Sequence, residues 1–419
     1  MSISRTPLWL EKHSNESYLH AVYSTLHSRE RERELARYLS RQPGADTTPG
    51  PPTRRHGHSK VLHRVSSILR SPNPDQSSPT HYSVAVAHRP ENRLRNRYMD
   101  IHPYDRTRVV VCCPDLPRHE DGEGEDSYLN ASWVLERYGH KWWIASQAPL
   151  PQTIHTFLSI FLQPTTSPPK SLCNHGQPRP RSSRVRLVIQ LTNDVEEGRR
   201  KAHPYFPHKV GQSALIFSES GNDRPLKVTL VDRQTIAEAH CVWSTVSVVP
   251  VTPEGEVYND SDDVDSLEQE REPVTFQHML YTSWPDHGVP KDDDRAGLLA
   301  FLRLVDRTNR NTSLDSHPDD PDIDPDPAII VGCSAGIGRT GSFIALSSLL
   351  RHFGFLPPPG APSPPSVIPP SPLGVLPHAL EDDLVVQEVD SLREQRPGMV
   401  QREEQTLLIY EILASAFVL

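Results

Sequence analysis

The stretch from Ala328 to Leu350 reads AIIVGCSAGIGRTGSFIALSSLL and contains three successive local patterns. The run AIIV is typical of a buried strand, the glycine-rich segment after it holds no proline, and SFIALSSLL is typical of a helix. Gly336, Gly338 and Gly341 let the backbone curl so that successive N–H groups point inward, and the helix dipole adds positive potential there. The sequence therefore predicts a strand, an anion-binding loop and a helix N-terminus, with Cys333 at the start of the loop.

A cysteine in this setting has the environment of a reactive thiol, because inward amides and a helix N-terminus lower a thiol pKa and bind phosphate. Arg339 adds a planar guanidinium for two phosphate oxygens, and Thr340 offers a hydroxyl to the sulfur. The same Cys-x5-Arg spacing occurs at 112–118, where two prolines and an aspartate intervene, and at 173–179, within a proline-rich segment. Cys333 is therefore the candidate nucleophile, and an inert buried cysteine before a glycine-rich turn is the less favoured interpretation.

Composition excludes several other classes of protein. The 419 residues carry 44 Lys and Arg against 53 Asp and Glu, a formal charge of −9, so no basic face for nucleic acid is expected. No apolar run approaches the roughly 20 residues that span a bilayer, and Met1–Asn15 lacks a signal-peptide pattern. The 5 cysteines are an odd number without CxxC spacing, which favours free thiols over disulfides or zinc. We expect an intracellular protein, cytoplasmic with nuclear access open, that uses no metal or cofactor and binds neither nucleic acid nor membrane.

Three regions are expected along the chain. Residues 1–41 predict a helical extension, 42–81 a mostly disordered linker with one short amphipathic stretch, and 82–419 a single α/β domain in which strands and helices alternate. Proline-rich or polar insertions interrupt this domain near 163–185, 252–273, 306–327 and 356–378. The last contains ten prolines between Pro357 and Pro377. It is expected to be disordered and dispensable for chemistry, either a bare spacer or a ligand for an SH3-type domain.

Several further segments, in order, resemble the classical cysteine-dependent protein tyrosine phosphatases, and in particular fungal-like non-receptor members. That family has the signature His-Cys-x5-Arg-Ser/Thr inside SAGxGRTG. YTSWPDHGVP at 281–290 resembles its mobile Trp-Pro-Asp loop, and NRYMDIHPYDRTRV from Asn96 resembles its phosphotyrosine-recognition loop. The segments SYLNASWV, WIASQAPLPQT, VIQLTNDVEEGRRKAHPYFP and RPGMVQREEQTLLIYE also match, so that the resemblance covers most of 92–419. It implies a twisted mixed β-sheet flanked by α-helices.

The resemblance also implies the roles of individual residues. Asp286 would be the general acid, and its position between Pro285 and Gly288 on a turn-rich segment suits a carboxyl that swings over a substrate. Tyr98 would stack on the substrate ring, and Asp100 would hold the peptide backbone. The remaining implied roles are phosphate binding by Ser334, Ala335, Gly336, Ile337 and Gly338, orientation of Arg339 by Glu196, water placement by Gln401 and Gln405, and support near the acid loop by Lys201 and Trp284.

The implied reaction has two steps and needs no metal. Cys333 attacks phosphorus, Asp286 protonates the leaving tyrosine oxygen, and water placed by Gln401 hydrolyses the phosphocysteine. Gly332 replaces the family histidine, which would contact Tyr205. We therefore expect a Cys333 pKa below the free-thiol value of about 8.5 but above that of histidine-bearing relatives, and Gly332→His should lower it if the ring fits beside Tyr205. The alternative is a phosphotyrosine-binding pseudophosphatase weakened by Gly332. A dual-specificity phosphatase is less favoured, because Tyr98 implies a deep pocket.

Overall fold

The computed structural model describes residues 6–41, 81–111, 127–164, 166–169, 172, 183–221, 223–255, 272–285, 288–315, 318, 323–363 and 367–418. Most of the expected linker (42–80) and most of the insertion at 252–273 (residues 256–271) therefore lie outside the described residues.

Within these ranges the centre of the domain is a nine-stranded mixed sheet, accompanied by a separate two-stranded hairpin. The strands are β1 Arg108–Val111, β2 Ser127–Leu135, β3 Trp142–Gln147, β4 Leu187–Gln190, β5 Val195–Glu196, β6 Arg199–Arg200, β7 Ser213–Ile216, β8 Leu226–Ile236, β9 Cys241–Pro250, β10 Val274–Tyr281 and β11 Ile329–Cys333. The order in the large sheet is β1-β2-β3-β11-β4-β10-β9-β8-β7, and β5 pairs with β6. The pairs β3/β11, β11/β4 and β4/β10 are parallel, and the other pairs are antiparallel.

Helices cover both faces of the sheet. They are α1 Leu8–Glu11, α2 Glu16–Ser40, α3 Ala85–His88, α4 Ile154–Leu162, α5 Asp292–Asn309, α6 Gly338–His352, α7 Leu384–Gln395 and α8 Glu403–Ala416. The core on one face combines the sheet with α5, α6, α7 and α8 and includes Val331 and Cys333. The core on the opposite face includes α4, Ile330 and Tyr205. Because side chains alternate along a strand, position 332 of β11 faces the core that contains Tyr205. The expected fold class, a mixed sheet flanked by helices, is confirmed.

Helix α2 packs against α7 through buried charged side chains. Arg29 donates to both oxygens of Asp390 at 2.8 and 2.9 Å. Arg33 is fully buried and donates to Asp390 at 2.6 Å and to Glu394 at 2.7 and 2.8 Å. Buried charges are stable only where such pairing compensates their lost hydration, so this ion network fixes α2, which lies within the helical extension expected at 1–41, to the rest of the domain.

The described part of the insertion at 356–378 contacts the domain through hydrogen bonds from arginine side chains. Arg310 and Arg351 donate to the carbonyl oxygens of Pro358 and Pro357. Residues 367–377, here called the strap, are held by Arg29, which donates to the carbonyls of residues 373, 374 and 375. Because a proline-rich segment lacks the amide donors for a ladder of its own, its carbonyl groups take their partners from arginines.

Both ends of the insertion expected at 306–327 contact the rest of the domain. Helix α5 continues to Asn309, and Asp306 at its end accepts from Arg351 at 2.9 Å. Asp326 is buried and pairs with Lys141 just before β3. Both ends of this segment therefore belong to the core of the domain.

Candidate active site

The loop after β11 lies between the end of a buried strand and the N-terminus of α6. Cys333 is the last residue of β11, in register with Gln147 of β3, and its side chain is 6% exposed. Gly336 has φ +69°, and a Cβ there would lie 2.2 Å from the carbonyl oxygen of Ser146. Only glycine fits that approach, so the tight loop predicted from the sequence requires this residue.

The surroundings of Cys333 favour its thiolate. Burial by itself would raise the pKa of the thiol, but the hydroxyl of Thr340 and the charge of Arg339 lower it. The backbone N–H groups of Thr340 and Ile337 add to this, and the net effect is a pKa below the usual range. Thr340 is fully buried, and its hydroxyl is the first of the groups that lower the pKa of the Cys333 thiol.

Arg339 is held in position by a carboxylate and two backbone carbonyls. Its Nη1 and Nη2 donate to the two oxygens of Glu196 at 2.8 and 2.9 Å, which is a bidentate pair. Glu196 in turn accepts from the backbone N–H of Asn193 at 2.9 Å. Arg339 also donates to the carbonyls of Leu191 and Pro285 at 2.9 and 2.8 Å. Pro285, which directly precedes position 286, therefore lies against the Arg339 guanidinium.

The other side of the loop is bordered by Tyr98. Ser334 Oγ donates to the carbonyl of Lys201 at 2.8 Å, so the Tyr98 hydroxyl, 2.8 Å from Ser334 Oγ, is the donor in that pair. The half-buried ring of Tyr98 therefore stands beside the residue that follows Cys333. Its neighbours Met99 and Asp100 are exposed.

Arg396 holds the loop by hydrogen bonds to its backbone carbonyls, a role that was not predicted from the sequence. Its fully buried guanidinium donates to the carbonyls of Gly336 and Ala335 at 2.7 and 3.0 Å and to Asn130 Oδ1 at 2.8 Å. By holding these carbonyls outward, Arg396 keeps the amides of the loop available on its inner side. The signal was present in RPGMVQREEQ, where an arginine precedes a Pro-Gly turn, but no spacing rule linked it to the loop.

A second turn, between α7 and α8, meets the loop at Ile337. Val400 has φ +54°, which is unusual for a β-branched residue, and its N–H donates to the Ile337 carbonyl at 3.2 Å. Gln405 is buried, and its amide would lie 2.9 Å from a Cβ at Gly338, whereas Gln401 is exposed. The strained turn thus fixes the backbone from which Gln401 projects.

The structure gives a steric reason for Gly332. It pairs with Ser146 of β3 and Gln190 of β4, and a Cβ at position 332 would lie 2.7 Å from the Ser146 carbonyl oxygen. Tyr205, which would contact the family histidine, packs edge-on against His278 at 5.7 Å. Burial, and to a smaller extent Arg233, lowers the pKa of His278 to about 3, so this ring is neutral. Histidine at 332 would therefore require the strands to move apart.

Asp286, the candidate acid, lies outside the described residues. Trp284, two positions earlier, is 2% exposed and packs edge-on against Tyr281. The described residues include no group of three or more His, Cys, Asp or Glu side chains that could hold a metal ion. None of the described helices is long and apolar enough to cross a membrane.

Comparisons with known proteins agree on the family. The model for protein-tyrosine phosphatase matches residues 92–168 and 181–354, which is more than half of the chain. The human receptor-type tyrosine-protein phosphatase H is 29% identical over 334 residues, covering 79% of this chain and 22% of that protein. The human tyrosine-protein phosphatase non-receptor type 14 is 31% identical over 267 residues, covering 63% of this chain and 18% of that protein. The rat non-receptor type 2 enzyme is 27% identical over 330 residues, covering 78% and 57%.

The fold has a solved counterpart. A structure described as the basis of the PTPN18 fingerprint on distinct HER2 tyrosine phosphorylation sites superposes with a TM-score of 0.51 at 23% identity, covering 80% of this chain and 87% of that chain. The chain spans less than a quarter of the length of the receptor-type relatives that it matches. The residues matched by the family model include β11, the loop after it and all of α6. The chain therefore belongs to the protein-tyrosine phosphatase family.

Proposed function

We propose that this protein hydrolyses phosphotyrosine in proteins through a phosphocysteine on Cys333, without a metal. The observation that carries the proposal is a buried thiol with a lowered pKa beside an arginine held by a bidentate carboxylate. This combination supplies a nucleophile and a fixed cation for the equatorial phosphate oxygens in the same loop. Family membership supports the same reaction.

In the proposed first step, Cys333 attacks phosphorus in line while the loop amides of 334–338 and the Arg339 guanidinium bind the phosphoryl oxygens. Asp286 protonates the departing tyrosine oxygen, and the bond between Pro285 and Arg339 supports a position for this acid beside the phosphoryl group. In the second step, Gln401 and Gln405 place a water, Asp286 accepts its proton, and inorganic phosphate leaves. Thr340 stabilises the thiolate, while Lys201 and Trp284 support the acid loop.

Tyr98 supports a preference for phosphotyrosine over phosphoserine. Its ring borders the loop through the hydrogen bond to Ser334, a position from which it could contact the ring of an aryl phosphate. In the proposal Tyr98 stacks on the substrate ring and Asp100 holds the substrate backbone. Beside Tyr98, the exposed side chain of Met99 is uncharged, so it offers no cation to acidic residues that flank the phosphotyrosine.

A cytoplasmic role in signalling, with nuclear access open, fits a thiolate enzyme, because such a nucleophile needs a reducing compartment. The described Cys241 and Cys333 are both free thiols. An SH3-type domain could bind within 357–377. At 369–372 it would lie beside the carbonyls of 373–375 that Arg29 holds, so binding at that motif belongs to an opened form of the strap.

The test is turnover by the purified full chain on a phosphotyrosine peptide and on the matching phosphoserine peptide, each with a chelator present. Hydrolysis of phosphotyrosine alone, undiminished by the chelator, is the expected result. Binding of the phosphotyrosine peptide without turnover would favour the binding module, and loss of activity in chelator would favour metal chemistry.

A further inference from the structure

The strap carries a serine whose hydroxyl joins three parts of the molecule. Ser371 Oγ donates to Glu394 of α7 at 2.7 Å and accepts from the backbone N–H of Leu373 at 3.2 Å. It also lies 3.4 Å from Nη2 of Arg29 on α2. Ser371 is half-buried and is followed directly by Pro372.

The side chain that accepts the Ser371 proton is a buried anion. Glu394 also accepts from Arg33 at 2.7 Å and from the Tyr82 hydroxyl at 2.9 Å. Burial alone would raise the pKa of Glu394, but Arg33 and His81 hold it far below the usual range. Glu394 therefore stays ionised at any physiological pH. Its carboxylate accepts hydrogen bonds from donors such as the Ser371 hydroxyl, but it repels a second negative group.

The nearest cation is already engaged. Arg29 is paired with both oxygens of Asp390 and holds the carbonyls of residues 373, 374 and 375. A gap of 2.7 Å between Ser371 Oγ and Glu394 holds a shared proton but not a phosphoryl group. If Ser371 turned away to accommodate one, the adjoining turn at 373–375 would lose its alignment with Arg29.

We propose that Ser371 is a phosphorylation site for a proline-directed serine/threonine kinase, and that its phosphorylation releases the strap from α2 and α7. The kinase transfers the γ-phosphoryl group of ATP: the bond from the γ-phosphorus to its bridging oxygen breaks and ADP leaves. A new bond joins that phosphorus to Ser371 Oγ, and the hydroxyl proton passes to a base of the kinase. The product carries about two negative charges beside Glu394, which disrupts a contact that depended on a hydrogen-bond donor.

In the bound state the strap contacts α7, and arginines on and just after this helix hold the active-site loops. Arg393 and Arg396, which follow Asp390 and Glu394 on and just after α7, bond to the carbonyls of 399–400 and 335–336. The inference does not depend on the proposed reaction, because the strap contact can be measured without any turnover.

The test uses the full chain with phosphoserine installed at 371 and hydrogen exchange of the strap amides as readout. Exchange of the backbone amides of residues 373–376 should become at least about tenfold faster, since a hydrogen bond to a charged group is replaced by repulsion. Ser371→Ala, which removes only the hydroxyl, should give a smaller increase. The matched control is phosphoserine at 363 in the same insertion, whose Oγ accepts from Trp142 Nε1 at 2.9 Å, and it should leave exchange of the strap unchanged.

Unchanged exchange in the protein phosphorylated at 371 would overturn the release, and slower exchange would show that Arg29 clamps the phosphate instead. A second arm treats the native full chain with a proline-directed kinase and ATP and locates the phosphate by mass spectrometry, with Ser371→Ala to assign the site. Phosphate at Ser371 is the expected result. Modification of the unfolded chain but not of the native one would overturn the assignment of Ser371 as a site.

Discussion

The two carboxylate oxygens of Glu196 face the two terminal nitrogens of Arg339 at 2.8 and 2.9 Å, in a site where both side chains are buried. This pair joins the small β5/β6 hairpin to the start of α6. The direction in which Arg339 presents its guanidinium therefore depends on a residue that is distant in sequence.

Glu196→Gln should lower kcat/KM on a phosphotyrosine peptide by about tenfold to a hundredfold, because one charge-assisted hydrogen bond and the neutralising charge are lost. The matched control is Glu197→Gln, at the exposed next position, which should leave the rate nearly unchanged. Equal rates for the two variants would show that Glu196 does not orient Arg339.

Thr340→Ala should raise the pKa of Cys333, since the hydroxyl is one of the groups that lower it. The thiolate forms above its pKa, so the acid limb of the pH profile of kcat/KM should move to higher pH. Thr340→Ser keeps the hydroxyl and serves as the control. The measurement is the rate of Cys333 alkylation by iodoacetate against pH, and coincident curves for the alanine variant and the wild type would refute the role.

Gly332→Ala should reduce the free energy of unfolding by about 1–3 kcal/mol, because its Cβ would press on the Ser146 carbonyl. Gly332→His should reduce the free energy of unfolding by more, because the larger side chain meets the same carbonyl, and the lower thiol pKa was expected only if the ring fits. Val110→Ala, on the exposed side of the edge strand β1, should change stability far less. The measurement is the free energy of unfolding of the three variants in denaturant. A Gly332→His protein as stable as the wild type would show that the strands adjust freely and that Gly332 has no steric role.

Asp286→Ala should reduce turnover of a phosphotyrosine peptide by about 10² to 10⁴, the scale of a positioned general acid, while peptide affinity is kept. An aryl phosphate with a nitrophenol leaving group needs less protonation, so its hydrolysis should fall by a smaller factor. Equal losses on the two substrates would argue that Asp286 is not the acid for the leaving oxygen.

Much of this architecture follows from local patterns. The strand at Ile329–Cys333 and the helix after it were predictable because an apolar run, a glycine-rich turn and a second apolar run follow each other directly. The pairing of Glu196 with Arg339 was predictable only through family resemblance, since no local rule connects β5 with α6.

Other features depend on contacts that a sequence pattern does not display. The insertion at 356–378 was expected to be disordered because its ten prolines forbid a helix, yet carbonyls of the strap accept hydrogen bonds from Arg29, which is more than 340 positions away. Gly332 looked like a missing histidine, whereas the close approach of Ser146 gives it a steric role. The loop-supporting role of Arg396 likewise became visible only when its carbonyl partners were located.

The most direct test of the central claim is to look for the phosphocysteine itself. The full chain is mixed with a phosphotyrosine peptide in the presence of chelator, quenched in acid within the first turnover, and the peptide containing Cys333 is examined by mass spectrometry. The account predicts one phosphoryl group on Cys333 in the wild type, and neither this adduct nor turnover in Cys333→Ser. Turnover by Cys333→Ser at the wild-type rate, or turnover by the wild type with no phosphoryl group ever found on Cys333, would contradict it.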